Sequence, residues 1–237
     1  MSIANEIIDF CKKNRVSTTE VADALGKSGV FKGPLPINNG KYEVGSIFCV
    51  FAANGSNYDV HDQIREVKEG DIVLIFTENC HEKAIFGALV AKFILLYKGA
   101  AAIIVQGKVR DAAELCREKY SIWCEGVTPL GCHNQSADGF DLNKKEALLR
   151  EFHGAIAVCD EGGVTIISNE FINDETLKKL QLIEMQEDIW QFCLDSLKWD
   201  TKKIVCDKAY LTETDDLPPK HIENLENLKI KLDKLKN

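Results

Sequence analysis

The sequence has no stretch that predicts membrane insertion or export. Its longest apolar runs, such as residues 93–97 (FILLY), fall far short of the roughly 20 residues that cross a bilayer. The first residues, MSIANE, lack the basic segment and the apolar core of a secretion signal. We therefore expect a cytoplasmic protein that does not use a membrane as its partner.

Clusters of basic residues are also missing before the C-terminal tail. The 237 residues include 29 Lys and Arg against 37 Asp and Glu, which gives a formal net charge of −8. Nucleic acid is a polyanion, so a protein that grips its phosphate backbone normally presents a basic face. The charge balance therefore argues against RNA or DNA as the direct ligand.

The nine cysteines form no C-x-x-C pair, and no spacing among them is typical of a zinc finger. An odd number of scattered cysteines, in a sequence without a secretion signal, is typical of a cytoplasmic protein whose core contains reduced thiols. Two cysteines precede a histidine, in the pairs Cys80-His81 and Cys132-His133, but neither pair has metal-finger spacing. We expect free thiols and no zinc site.

The middle of the chain predicts a parallel crossover unit. Residues 72–76 (IVLIF) form a near-continuous apolar run, which suits a strand covered on both faces. Residues 84–98 carry apolar side chains at helical spacing, and residues 100–105 form a second buried strand. In such units chemistry gathers beyond the carboxyl ends of the strands. The predicted turn from Gly107 to Asp111 lies at that place.

Further elements surround this unit. Ser17-Thr18-Thr19-Glu20 predicts a capped helix start, with Ser17 or Thr18 as the cap. Helices are expected over 3–13, 58–67, 112–119 and 175–197, strands over 44–53 and 121–125, a loop over 133–143, and a hairpin over 155–167.

The C-terminal part predicts a linker and a short helix. Residues 212–220 (TETDDLPPK) have linker composition, so we expect one α/β domain over residues 1–211 and a linker with a helix over 212–237. The tail spaces four leucines at coiled-coil intervals. That pattern predicts either a docking seam or a helix that packs on its own domain. These leucines are Leu225, Leu228, Leu232 and Leu235.

Arg110 and Asp111 carry the most informative chemistry. A guanidinium presents a planar fork that binds a carboxylate through two parallel hydrogen bonds. An aspartate supplies a hard oxygen ligand, which suits Mg²⁺ or Mn²⁺ better than zinc. On spacing alone, the alternative interpretation is a helix cap followed by a surface charge.

Several stretches, taken together and in order, resemble the RraA-like family. That family includes the 4-hydroxy-4-methyl-2-oxoglutarate/4-carboxy-4-hydroxy-2-oxoadipate aldolases and the RraA protein inhibitors of ribonuclease E. The resemblance extends from about residue 16 to about residue 200. The matching stretches are residues 17–26, 44–50, 69–73, 84–91 with Gly99, 107–111, 126–129 and 160–164.

The resemblance implies a fold and a site. It implies a three-layer α/β/β sandwich of the swivelling type, here with a C-terminal helical extension, assembled as a homotrimer or a homohexamer with sites between subunits. Arg110 would hold the carboxylate of a 2-oxo acid substrate, and Asp111 would bind Mg²⁺ or Mn²⁺. Backbone N–H groups of the helix start would hold the same carboxylate. The residues of that helix start are Gly87, Ala88, Leu89 and Val90.

A further glutamate is implied from a neighbouring subunit. In the family it falls on the long helix after the hairpin, where Glu187 is the best match and Glu184 the second. We expect Glu187 to join Asp111 in holding the metal. The alternative is that both are ordinary charges on a solvated helix.

The sequence departs from the aldolases at position 88. The aldolases carry an acid directly after the first glycine, in a Gly-[Asp/Glu]-x-x-Ala pattern, whereas this chain has Ala88. The missing acid would hold metal-bound water, and losses of this kind typically weaken affinity or activity about 10–100-fold. Glu78, His81 and Glu82 precede the helix and could substitute, although a solvated loop is the simpler interpretation.

A second departure follows Pro129. The family has a Pro-Val strand, glycines and a Pro-Gly-Asp turn, whereas residues 141–152 here are charged and predict a helix. The histidines His61, His133 and His153 are expected to be structural or surface residues rather than ligands.

Two functions are consistent with these residues. The first is a metal-dependent carbon–carbon lyase, an aldolase or decarboxylase, that acts on a 2-oxo acid through a pyruvate enolate. The second is a non-catalytic regulator that binds another protein. The intact Arg110-Asp111 pair favours the enzyme, and the acidic charge with the C-terminal seam favours the regulator.

Overall fold

The structure, a computed structural model, describes residues 2–236 apart from the side chains of residues 228, 229 and 231–236. It divides into two compact units, Met1–Ile172 and Asn173–Asn237. The division falls earlier in the chain than the boundary that the sequence placed after residue 211. The long helix that follows the hairpin accounts for this difference, because it shares an apolar cluster with the C-terminal residues.

The first unit contains all the strands named here and six helices. The strands are β1 Leu35–Pro36, β2 Glu43–Ala53, β3 Ile72–Glu78, β4 Ala84–Phe86, β5 Ala102–Val109, β6 Ile122–Val127, β7 Ile156–Asp160 and β8 Gly163–Ile167. The helices are α1 Ile3–Asn14, α2 Thr18–Ala24, α3 Tyr58–Gln63, α4 Ala88–Lys92, α5 Ala112–Arg117 and α6 Leu142–Phe152. Short 3₁₀ turns lie at Ile64–Glu66 and Asn169–Phe171.

Strand β2 joins two layers of the sheet. Its first residues, from Glu43 to Ser46, pair antiparallel with β7, and its later residues, from Ile47 to Ala53, pair parallel with β3. The sheet order is β1-β6-β5-β3-β2-β7-β8, with β4 paired to β5. Strands β7 and β8 form the hairpin that the sequence predicted around Gly162.

The central strands contribute to two apolar cores, one on each face of the sheet, because successive residues of a strand point to opposite faces. One face packs on α3, α4 and α5, and its strand residues include Val50, Val73, Ile75, Ile103 and Val105. The other face packs on the β7–β8 hairpin, and its strand residues include Ile47, Phe51, Ile72, Leu74 and Ile104. Helices, parallel strands and hairpin thus form three layers, and the predicted α/β fold class is confirmed.

The segment 84–98 differs from its sequence prediction, which was a single helix. Ala84–Phe86 is strand β4, and its backbone pairs with β5 and with the loop after β6: the Ala84 N–H donates to the Leu130 carbonyl over 2.7 Å. The helix begins only at Ala88 and ends in a π-helical turn over Phe93–Tyr97. Three apolar residues carry no periodicity of their own, so long-range pairing decides their conformation.

Strand β5 is longer than the sequence predicted. It extends to Val109, so Gly107 lies within the strand and not in a turn. A Cβ at Gly107 would lie 3.2 Å from the Thr77 methyl group on β3. The neighbouring strands pack closely here, and this favours glycine at position 107. The functional pair Arg110-Asp111 follows directly after the strand.

The second unit is helical. It contains α7 Asp174–Asp195, a π-helical turn Lys202–Cys206, a 3₁₀ turn Ala209–Leu211 and α8 Pro219–Lys236. Its apolar cluster includes Ile189, Cys193, Ile204, Tyr210, Leu217 and Leu225. Residues on both sides of the predicted linker 212–220 therefore share one core. Of the predicted leucine seam, Leu225 is buried, and the side chains of Leu228, Leu232 and Leu235 lie outside the described residues.

Candidate functional site

Two strand ends bring the candidate site together. Phe86 at the end of β4 pairs with Val109 at the end of β5, and the Arg110 N–H donates to the Phe86 carbonyl over 3.0 Å. Gly87 and the pair Arg110-Asp111 therefore leave the sheet side by side. This is the edge at which α/β proteins place their ligands.

Asp111 adopts a left-handed backbone conformation, with φ of 60°. Its carbonyl accepts hydrogen bonds from the first turn of α5, but its side chain does not cap that helix. The carboxylate turns to the neighbouring helix instead, where Oδ2 accepts from the Ala88 N–H over 3.0 Å. Asp111 is therefore the N-cap residue of α5 by position, but its side chain makes no capping hydrogen bond, and the carboxylate remains 45% exposed.

Two glycines make room for this pair. A Cβ at Gly87 would lie 2.1 Å from Asp111 Oδ2 and 2.9 Å from Arg110 Cγ. A Cβ at Gly131 would lie 2.7 Å from Arg110 Nη1. Gly87 has extended φ and ψ of −130° and −163°, which any residue can adopt, so space and not backbone conformation requires the glycine.

Arg110 and Asp111 open onto a small pocket of about 120 Å³. The two side chains lie beside each other, with 3.9 Å between Arg110 Nε and Asp111 Oδ2, and the guanidinium side chain is 50% exposed. Because it is half exposed, the Arg110 guanidinium can bind a ligand from solution. The pocket is also lined by Asn57, His61, Leu89, Val90, Cys132 and Asn134.

The predicted substrate-binding segment lies in this wall. Gly87, Leu89 and Val90 line the pocket together with Arg110 and Asp111. Ala88 is buried, and in this structure its N–H is used by Asp111. The binding of a substrate carboxylate by these backbone groups remains a prediction.

The acids that could replace the missing one at position 88 have other partners. Glu78 accepts from the Asp141 N–H over 2.9 Å and pairs with Lys144, whose hydrogen bond lowers the pKa of Glu78. Glu82 pairs with Lys108. Among the described residues that line the pocket, Asp111 carries the carboxylate.

The predicted second metal ligand is not tested within one chain. Glu187, like the second candidate Glu184, lies on α7 in the second unit, and its role was expected from a neighbouring subunit. Within the described part of the chain, no three His, Cys, Asp or Glu side chains are grouped so as to hold a metal ion. Asp111 with Glu187 therefore remains a prediction.

The fold brings two further residues to the pocket, Asn57, which no sequence pattern indicated, and His61, which was expected to be structural or a surface residue. The Asn57 side chain donates from Nδ2 to the Ile85 carbonyl over 3.0 Å and ties the loop before α3 to β4. His61, on α3, is exposed and lines the pocket. His153 is structural, as expected, because its Nδ1 accepts from the Cys49 N–H. Only the fold reveals which of these polar residues face Arg110.

Solved structures share this architecture. A protein of Pseudomonas syringae pv. tomato, described as uncharacterized, superposes with a TM-score of 0.65 at 19% identity, over 83% of this chain and 95% of its own. Streptomyces coelicolor RraAS2, "an unusual member of the RNase ES inhibitor RraA protein family", superposes with a TM-score of 0.59 at 19% identity, over 78% of this chain and 95% of its own. At these identities the likeness concerns the fold.

The family follows from the sequence match. The profile of the RraA-like family, described as Aldolase/RraA, matches residues 18–166, which include the whole Gly87–Asp111 region. The chain therefore belongs to the RraA-like family. A relative in Halalkalibacterium halodurans, described as "Putative 4-hydroxy-4-methyl-2-oxoglutarate aldolase", is 27% identical over 162 residues, which cover 68% of this chain and 77% of that protein.

No helix in the described residues combines the length and the apolar character needed to cross a membrane.

Proposed function

We propose that this protein is a divalent-metal-dependent carbon–carbon lyase, an aldolase or decarboxylase, that acts on a 2-oxo acid. The observation that carries the proposal is the pairing of a half-exposed guanidinium, Arg110, with a half-exposed carboxylate, Asp111, in a pocket that Gly87 keeps open. The relative described as an aldolase supports the same class of reaction.

Arg110 binds and stabilises the substrate in this proposal. Its guanidinium can bind the carboxylate of a 2-oxo acid by donating two parallel hydrogen bonds to it. Cleavage of the adjacent carbon–carbon bond leaves negative charge on the pyruvate fragment as an enolate. A fixed positive charge beside that fragment stabilises the transition state more than the ground state, which is the requirement for catalysis.

Asp111 is the residue of this chain that would hold Mg²⁺ or Mn²⁺. One of its oxygens accepts from the Ala88 N–H, so the carboxylate is oriented before any cation arrives. A single carboxylate fits magnesium, which binds through one or two carboxylates and keeps water and substrate oxygens as its other ligands. Glu187 of a neighbouring subunit is the proposed second carboxylate. When bound, the cation would act as a Lewis acid toward the 2-oxo acid.

We further propose that the active form is a homotrimer or a homohexamer. Leu89 is 82% exposed at the pocket wall, and the following turn leaves Leu96 and Tyr97 exposed as well. The pocket of about 120 Å³ is smaller than the roughly 300–1,000 Å³ of complete small-molecule sites. Both observations support a site that a second copy of the chain completes.

A non-catalytic regulator is the second candidate. Ala88 stands where the aldolases carry an acid, and this loss favours a protein that binds without turnover. The similar fold of RraAS2, from a family of RNase ES inhibitors, supports the same alternative. In that case the exposed apolar residues around Leu89 would contact a partner protein.

Pyruvate release separates the two candidates. The purified protein is assayed with oxaloacetate and with 4-hydroxy-2-oxo acids, with Mn²⁺ or with a chelator, and the non-enzymatic release is subtracted. We expect Arg110→Lys, which keeps the charge but loses the planar fork, to lower kcat/KM at least about tenfold. Arg150→Lys, an exposed position on α6, is the matched control. No release by the wild-type protein on any of these acids would leave the regulator as the better candidate.

A further inference from the structure

Two thiols that are far apart in the sequence meet behind the Arg110 pocket. Cys80 lies in the loop after β3, and Cys132 lies in the loop after β6. Their side chains are hydrogen-bonded to each other and belong to the same apolar cluster. They are thus neighbours in space although they are distant in the sequence.

Backbone hydrogen bonds hold the two loops together. The Lys83 N–H donates to the Cys80 carbonyl over 3.0 Å and closes a tight turn. The Cys132 N–H donates to the Ala84 carbonyl over 3.0 Å, and the next residue, His133, donates to the Gly55 carbonyl over 2.9 Å. Because three chain segments are bonded here, the thiols are held close without a covalent bond.

The surroundings favour a thiolate on Cys80 and a protonated thiol on Cys132. The hydrogen bond from the Cys132 thiol is the largest influence, and it lowers the pKa of Cys80 to about 7, although burial opposes this shift. The same contact, together with burial, raises the pKa of Cys132. Burial instead raises the pKa of Cys49 to about 12. A thiolate is the reactive form of cysteine, so Cys80 differs chemically from an ordinary core thiol.

Access to the pair comes from the pocket. Cys80 is buried, at 3% exposure, whereas Cys132 is partly exposed and lines the pocket beside Arg110. A small oxidant that enters the pocket would therefore pass the Cys132 thiol to reach the reactive Cys80 sulfur behind it. This arrangement of an accessible and a sheltered thiol allows an oxidised sulfur to be resolved within the molecule.

We propose that Cys80 and Cys132 are a redox-active dithiol that closes to an intramolecular disulfide when the protein meets a peroxide. The Cys80 thiolate attacks a peroxide oxygen, the O–O bond breaks, and the hydroxide that leaves takes up the proton that the Cys80 thiol had released, so that a sulfenic acid and one water form. The Cys132 thiol then attacks the sulfenic sulfur, the S–S bond forms, and the departing hydroxide takes the Cys132 proton and leaves as a second water. Two thiols lose two electrons and two protons, and hydrogen peroxide is reduced to two waters.

Closure would change the wall of the Arg110 pocket. Cys132 follows Gly131, whose α-carbon lies so close to the guanidinium that a Cβ there would be 2.7 Å from Arg110 Nη1. A bond from Cys132 to Cys80 would fix this wall to the loop after β3. The site is thus one of covalent modification, separate from the lyase chemistry, and it holds whether or not the protein is an enzyme.

Mass spectrometry tests the disulfide directly. The double variant Cys116→Ser/Cys206→Ser removes the two exposed thiols and serves as the parent protein. After treatment with hydrogen peroxide we expect the intact mass to fall by two hydrogens, the non-reducing peptide map to join the peptides of Cys80 and Cys132, and a dithiol reductant to restore the original mass.

Single substitutions in this parent provide the control. Cys132→Ala removes the mass change, while Cys124→Ala, a buried cysteine of the same apolar cluster, leaves it intact. Circular dichroism of each variant verifies the fold. The proposal is overturned if the parent keeps both thiols at peroxide concentrations that oxidise Cys116 in the wild-type protein, or if the map joins other cysteines. The parent alone decides this, even if Cys132→Ala does not fold.

Discussion

The backbone N–H of Ala88 donates a hydrogen bond to Oδ2 of Asp111 over 3.0 Å. The first N–H groups of a helix have no partner within the helix, so this donor is available to a carboxylate. The contact uses the backbone of residue 88 and not its side chain. The alanine at this position therefore leaves intact the backbone contact that holds the Asp111 carboxylate.

The space at Gly87 gives the first prediction. In Gly87→Ala the new Cβ would meet Asp111 Oδ2 at 2.1 Å, so the carboxylate must move away from the Ala88 N–H. We expect Mn²⁺ affinity, measured by isothermal titration, and pyruvate release to fall at least about tenfold, the scale of an outer-shell loss at a metal site. Gly139→Ala, where a Cβ meets nothing within 4 Å, is the control. Unchanged Mn²⁺ affinity in Gly87→Ala would contradict this role of the glycine.

Restoring the acid at position 88 gives the second prediction. Ala88→Asp adds a carboxylate beside Asp111 at the start of α4, where negative charge is favoured. We expect Mn²⁺ to bind about 10–100-fold more tightly than to the wild-type protein. Ala88→Asn has the same shape without the charge and is expected to bind Mn²⁺ like the wild type. If Asp and Asn behave alike, the acid is not what the pocket lacks.

The exposed face of α4 gives the third prediction. Leu89→Asp places a charge on a side chain that is 82% exposed in the single chain, so the subunit itself should fold. In the proposed oligomer that charge would be buried without a partner, which is costly. We expect sedimentation velocity to show dissociation to monomers. Leu142→Asp, at a leucine that is 75% exposed on α6, is expected to keep the wild-type mass. A monomeric wild-type protein would remove the basis of this prediction.

Glu43 gives a prediction about pH and stability. Burial raises the pKa of this carboxyl above its ordinary value of 4.5, and the hydrogen bond from Ser121 opposes that shift. The folded protein thus binds the proton more tightly than the unfolded chain does. The stabilisation is complete below pH 4.5 and is lost as the pH rises through the raised pKa of the folded state.

Replacement by glutamine tests this sign. Glu43→Gln keeps an acceptor for Ser121 but cannot ionise. We therefore expect the free energy of unfolding of the variant to increase relative to that of the wild type as the pH rises from 4.5 to neutral. Urea denaturation at both pH values measures the difference. Glu6→Gln, at an exposed position of α1, is expected to show no such gain. The expectation is contradicted if the free energies of unfolding of Glu43→Gln and the wild type differ by the same amount at both pH values.

The sequence predicts well where local pattern decides the structure. Ser17 accepts from the Glu20 N–H and Glu20 accepts from the Ser17 N–H, so the capping box has the form that its residues predict. The buried strands around residues 72–76 and 100–105 also appear as expected, because long apolar runs leave few alternatives. Their order places Arg110 and Asp111 at the strand end without knowledge of any contact.

The sequence fails where distant residues decide the structure. Strand β4 exists because Ala84 bonds to the Leu130 carbonyl, and three apolar residues in front of a helix do not reveal that bond. The pairing of Cys80 with Cys132 is hidden for the same reason, since no spacing rule joins the loops that follow β3 and β6, two strands that lie on either side of β5. The division between the two units depends on packing around Tyr210, which composition alone does not show.

Mn²⁺-dependent pyruvate release, with wild-type protein and Asp111→Ala side by side, tests the central claim most directly. The substrates are oxaloacetate and 4-hydroxy-2-oxo acids, and Asp9→Ala, at an exposed aspartate of α1, controls for the loss of a surface charge. We predict release by the wild-type protein that needs Mn²⁺, falls at least about tenfold in Asp111→Ala and persists in Asp9→Ala. Release that is absent in the wild type, or that survives unchanged in Asp111→Ala, would contradict a lyase built on Arg110 and Asp111.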